Sequence, residues 1–260
     1  MEKELHVIRE GNREIPKESA ELFYAAALHL QSIFKSYPER TFLWLKSKMT
    51  NPSFSDLIFS YKNAIFAVIP VTTAGNSVII PEDDRMLKSL LRMSAENDIV
   101  PCILPVRDGM EGWNLYDAAA FVRHSLQPVD PTKIGSDEKK EMSDWEMHDF
   151  AVQAVIRKLE ETGLRIESYQ TIPGINPQLF FQDSDGKLSW ITVRWFPYGK
   201  NEYWNDEFIE MMDRNIMSHA EYTGRPYRAS VIIHMKDGKR PARGSAIEVD
   251  DPLIKEQKYS

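Results

Sequence analysis

Apolar positions along the chain switch between two periods, and the switches mark the elements. Leu22, Phe23, Ala26, Leu30, Ile33 and Phe34 recur at helical spacing. They follow Pro16, whose missing N–H costs nothing at a first helical residue. Residues 41–46 read as a strand. The apolar runs 57–61 and 64–71 flank the polar pair Lys62 and Asn63, which predicts a hairpin. Residues 72–77 read as a loop. Pro81 followed by Glu82, Asp83 and Asp84 predicts a helix start, with Met86, Leu87, Leu90, Leu91 and Met93 as its apolar face. A buried strand is expected over 99–106, a turn over 109–113 and a helix over 115–124. An edge strand is expected over 5–9.

The pattern then begins again. Ser143 and Glu146 carry a capping-box signature, and Phe150, Val152, Ala154, Val155, Ile156 and Leu159 supply the apolar positions of a helix closed by Gly163. A strand over 165–171 precedes a hairpin, 179–182 and 188–196, around Asp183, Ser184, Asp185 and Gly186. Asn205 is expected to cap a helix with Phe208, Ile209, Met212, Ile216 and Ala220 on one face. Gly224 is expected to end that helix, before a last strand over 228–235. Recurrence of one element order predicts an α/β (α+β) chain of two repeated α-β-β-β-α-β units, with mixed sheets flanked by helices. The first unit spans 1–126, a Pro- and Asp-rich linker 127–142, the second unit 143–235, and a mobile polar tail 236–260.

Composition narrows the chemistry. Of the 260 residues 42% are hydrophobic and 11% aromatic, with six Trp, enough for sizeable cores. A formal charge of −7 argues against broad electrostatic capture of nucleic acid, although a local basic patch escapes that argument. The single cysteine, Cys102, excludes an intramolecular disulfide and a zinc site built on cysteines, and is expected to be a buried thiol. No apolar run approaches the roughly 18 residues of a membrane span, and the charged start leads into no signal segment, so a cytoplasmic protein is expected.

The strand motifs at 52–71 and 177–196, within that element order, resemble the core of the restriction-endonuclease-like fold, the PD-(D/E)XK nuclease superfamily. The resemblance implies an aspartate at the start of the second strand and a Glu-x-Lys or Asp-x-Lys triplet in the third. The carboxylates hold a divalent cation that activates water, and the lysine helps orient or deprotonate that water. In the first copy Asp56 stands at the aspartate position, but Ile69, Pro70 and Val71 replace the triplet. In the second, Gln178 replaces the aspartate and the stretch Thr192, Val193, Arg194 and Trp195 replaces the triplet. Both copies are therefore read as degenerate, without the catalytic motif.

The expectation is a non-catalytic nuclease-like protein, without metal or cofactor, that binds a protein or nucleic-acid partner. The two units are expected to pack as a pseudo-twofold pair, using inside one chain the isologous contact that a homodimer makes between two, and a homo-oligomer is compatible with the reading. The partner-binding candidates are Arg194, Trp195, Tyr198, Lys200 and Trp204, since aromatic faces beside cations suit base stacking or a protein interface. The alternative is a divalent-metal-dependent nuclease with a relocated site around Asp56, assisted by Glu21. Glu146, His148 and Asp149 do not share one helix face, and the capping role accounts for Glu146. The six histidines show no ligand spacing.

Overall fold

A computed structural model describes residues 6–10, 19–46, 57–74, 77–81, 85–109, 112–115, 129–199, 206–219 and 224–259. The chain divides into two compact units, Met1–Glu138 and Lys139–Ser260. Each is a mixed sheet with helices packed on it.

The first unit contains β1 (His6–Glu10), α1 (Ser19–Lys35), β2 (Phe42–Lys46), β3 (Leu57–Tyr61), β4 (Ala64–Ala74), β5 (Ser77–Pro81), α2 (Arg85–Asn97), β6 (Ile99–Gly109), β7 (Gly112–Leu115) and α3 (Pro131–Ile134). Strands β2, β3 and β4 form an antiparallel meander, and β6 returns through α2 to lie parallel to β4. Phe23, Ala26, Leu30 and Phe34 of α1 meet Leu57, Phe59, Phe66, Val68, Cys102 and Leu104 in one core. Strand alternation sends Ile58, Ile65, Ala67, Ile69 and Ile103 the other way, and they are buried too. A sheet covered on both faces explains why β3 and β4 read as continuous apolar runs.

Two local expectations change here. Residues 72–77, read as a loop, include the end of β4, and β5 pairs back on it through Thr73 with Val78 and Ala74 with Ser77. The β-branched residues there favour extended backbone. Pro81 accordingly ends a strand instead of opening a helix. The helix read over 115–124 has Leu115 in β7, and its other positions lie outside the described residues.

The second unit contains α4 (Asp144–Glu161), β8 (Arg165–Tyr169), β9 (Leu179–Gln182), β10 (Leu188–Phe196), α5 (Glu207–Met217), β11 (Pro226–His234), β12 (Glu248–Val249) and β13 (Leu253–Glu256). Again three strands form an antiparallel meander, and β11 returns through α5 to run parallel to β10. The capping box at Ser143 forms as read, with the Glu146 N–H donating to the serine hydroxyl and the Ser143 N–H donating to the glutamate carboxylate. One face of this sheet packs on α4 through Leu179, Phe181, Ile191, Val193, Ala229, Val231 and Ile233.

The two meanders share an irregularity. In the first, Trp44 pairs with Phe59 and Lys46 with Ile58, so Leu45 is bulged. In the second, Ile166 pairs with Phe181 and Ser168 with Phe180, so Glu167 is bulged.

The expected linker and tail are corrected. Val129 joins the first core and Met142 the second, so the described part of the expected linker, 129–142, is packed at both of its ends. Asn63 at the hairpin tip exchanges side-chain and backbone hydrogen bonds with Ser136, and Lys62 pairs with Asp137 at 2.7 Å. The polar composition is spent on these local bonds. Likewise the tail read as mobile adds β12 and β13 to β11, and Arg243 makes a buried bidentate pair with Glu146.

Gly224 does not end α5, which closes at Ser218. A β-carbon at Gly224 would lie 2.2 Å from the Leu188 carbonyl oxygen and 2.5 Å from the Ser189 hydroxyl. The chain therefore passes β10 at a distance only glycine permits. Gly224→Ala is expected to lower stability by about 1–3 kcal/mol, the range for overpacking, read as a lower urea midpoint. An unchanged midpoint would show that the strand entry yields without strain.

Candidate functional site

In the second unit Gln178, Thr192 and Arg194 lie on the α5 side of the sheet, opposite the α4 core. Gln178 is buried. Its side-chain carbonyl accepts from the Val193 N–H at 2.8 Å, and its amide donates to the Ile175 carbonyl and to Asn176 Oδ1 at 2.7 and 2.9 Å. Such a group must both donate and accept, which a carboxylate cannot do. Thr192 follows on β10 with its hydroxyl buried. Arg194 pairs with Asp206, the residue that caps α5 by accepting from the Phe208 and Ile209 N–H groups. Asp206, not Asn205, is thus the cap; Asn205 lies outside the described residues. Partial burial opposes the Asp206 charge, but Arg194 and the two N–H groups hold its carboxyl below the usual range.

The partner-binding candidates separate. Arg194 and Trp195 are consecutive on a strand and point to opposite faces. Trp195 packs against the α4-side core, with the Arg240 guanidinium 5.8 Å from its ring centre. Tyr198, 63% exposed, lies 4.8 Å from the His234 ring. Lys200 and Trp204 lie outside the described residues, as does Asp56. Glu21 falls within α1. Ile69 and Val71 of the first unit are buried apolar side chains of β4. Among the described residues no group of His, Cys, Asp and Glu could hold a metal ion, and no helix is long and apolar enough to cross a membrane.

Sequence reading missed the centre of this face. Asp213 of α5 is fully buried and Arg228 of β11 nearly so, with Nη1 2.5 Å from Asp213 Oδ2. The Trp190 indole N–H donates to Asp213 Oδ1 at 2.8 Å, and the Tyr259 hydroxyl donates to Oδ2 at 2.6 Å. Arg228 Nη2 donates to the same hydroxyl oxygen at 2.7 Å, and Arg214 lies over the Tyr259 ring. Burial, then the hydrogen bond and charge of Asp213, push the Tyr259 phenol well above its ordinary value, so it remains a donor. The helix face read from sequence put Phe208 inward, but Phe208 and Met211 are exposed, while Ile209 and Asp213 face the sheet. The signal was present in strand alternation, which aligns Trp190, Thr192 and Arg194 with Arg228 and Ser230 on one face.

Residues 145–260 match the family model described as Domain of unknown function (DUF8840). The match runs from the first turn of α4 to the end of the chain, and so takes in the buried cluster and the C-terminal strands. No curated protein and no solved structure matches the chain.

The buried ion pair sets the energetics. Removing one partner strands the other charge out of water, at about 3–5 kcal/mol. Asp213→Asn should therefore destabilise far more than Tyr259→Phe, for which about 1–3 kcal/mol is expected. Urea unfolding followed by tryptophan fluorescence orders the two. The reverse order would mean that the phenol, and not the guanidinium, satisfies Asp213.

Proposed function

We propose that the chain is a non-catalytic, nuclease-like protein built from two copies of one α-β-β-β-α-β unit, and that it works by binding a macromolecular partner, a protein in preference to a nucleic acid. The observation that carries this reading is the commitment of Gln178 and Arg194. Both stand where the resemblance calls for a metal ligand and an activating cation, yet one bridges backbone groups and the other is held by a helix cap. Oxygen-seeking Mg²⁺ finds no carboxylate pair between them.

The matched bulges at Leu45 and Glu167, and the parallel return of β6 and β11, support the duplication. In that register the position before Leu57 corresponds to the position before Leu179, which sets Asp56 against Gln178. The preference for a protein partner rests on charge. Arg194, Arg225, Arg228, Arg240 and Arg243 each face a carboxylate of the chain itself, which leaves them poorly placed to neutralise phosphates. Tyr198, Phe208 and Met211 are instead exposed, and such side chains are enriched in protein interfaces.

The decisive assay incubates the full chain with single- and double-stranded DNA and RNA in Mg²⁺ and in Mn²⁺. No cleavage is expected. Cleavage that disappears in Asp56→Ala would overturn the proposal in favour of a relocated metal site in the first unit. A mobility shift of oligonucleotides that weakens steeply with salt would replace the protein partner by a nucleic acid.

A further inference from the structure

We propose that His234 is a proton-sensitive clasp that fastens the β12 segment to β11. His234 ends β11 and is buried. Its Nδ1 lies 2.8 Å from the Met235 carbonyl oxygen, and its Nε2 lies 3.3 Å from Asp250 Oδ1. Neither a carbonyl oxygen nor a carboxylate can donate. Both ring nitrogens must then carry a proton for both contacts to be hydrogen bonds, which describes the imidazolium. A neutral ring has one proton, so one of the two contacts becomes acceptor against acceptor.

The groups that the structure sets against the ring are consistent with this. From the β12 side come Glu248, whose Oε2 is 3.8 Å from Nδ1, and Asp250. From the connection after β10 comes the uncharged Tyr198 ring, which also passes 3.4 Å from where a Gly238 β-carbon would sit. From β11's own continuation comes the Met235 carbonyl. The Met235 carbonyl favours the charged ring most. Burial opposes it, and Asp250 and Glu248 add to it, so the histidine titrates above its ordinary value of 6.5.

What the clasp holds is tied to the rest of the unit on either side, and before it Ile247 packs against the second core. β12 pairs with β11 only through Ile233 with Val249 and His234 with Glu248, and the Asp250 N–H donates to the Ile232 carbonyl at 3.0 Å. Beyond it Asp251 pairs with Lys158 on α4 at 2.7 Å. Deprotonation therefore loosens the short segment between two fixed points instead of unfolding the unit. Because the folded value is raised, the contribution is complete below the ordinary histidine value. It is lost as pH rises through the folded one.

The test uses the full chain. Side-chain NMR of His234 gives its titration, and hydrogen exchange of the Asp250 amide, corrected for intrinsic rates, reports the clasp. The expected result is a midpoint above about 6.5 and a loss of about fivefold in Asp250 protection across it. In His234→Gln that protection should no longer change with pH. A midpoint at or below the ordinary histidine value overturns the proposal, and so does wild-type protection that ignores the transition. Both wild-type readings decide the matter even if the variant fails to fold.

Discussion

An aspartate and an arginine buried together organise the second unit. Taking two charges out of water costs several kcal/mol each before their attraction is counted, and the cost is offset only when further hydrogen bonds are well aimed. Asp213 and Arg228 meet that condition through Trp190 and Tyr259. Strand parity follows. With Trp190 and Arg228 on the α5 side, Ile191, Val193, Ala229 and Val231 must face α4, and a slip by one residue would send charge into that apolar core. The rotation of α5 follows as well, because Asp213 inward leaves Phe208 and Met211 outward.

Local chemistry was legible in the sequence wherever a few adjacent residues decide the outcome. The capping box at Ser143, the Asp183 turn and the hairpin over Lys62 and Asn63 all form as read. At Asp183 burial opposes the charge, yet the Lys187 N–H, the Ser189 hydroxyl and the Asp185 N–H hold the carboxyl below its usual range, and the same bonds set the turn. Distant pairings were not legible. Asp213 looks like a solvated helix charge until Arg228 and Tyr259 are placed beside it. Arg243 looks like tail until Glu146 is seen across from it. Hydrophobic periodicity cannot register a charged side chain that occupies a core position, which is why the α5 face was read wrongly.

The two units fill similar frames by different means. The first places apolar side chains on both faces of β3 and β4, whereas the second reserves one face for buried polar groups. A frame that tolerates either filling is held by its backbone pairing more than by any one set of side chains.

The position of Tyr259 in the chain has a consequence for synthesis. The hydroxyl that completes the Asp213 coordination is supplied from far downstream, after β11 and both short strands have been made. A ribosome releases Asp213 and Arg228 before Tyr259, so the nascent unit carries its charge pair incompletely covered until the residues after β13 have cleared the exit tunnel. Native pairing of the α5 face therefore waits on residues made after β11, and the charge pair is completed only once Tyr259 is available to it.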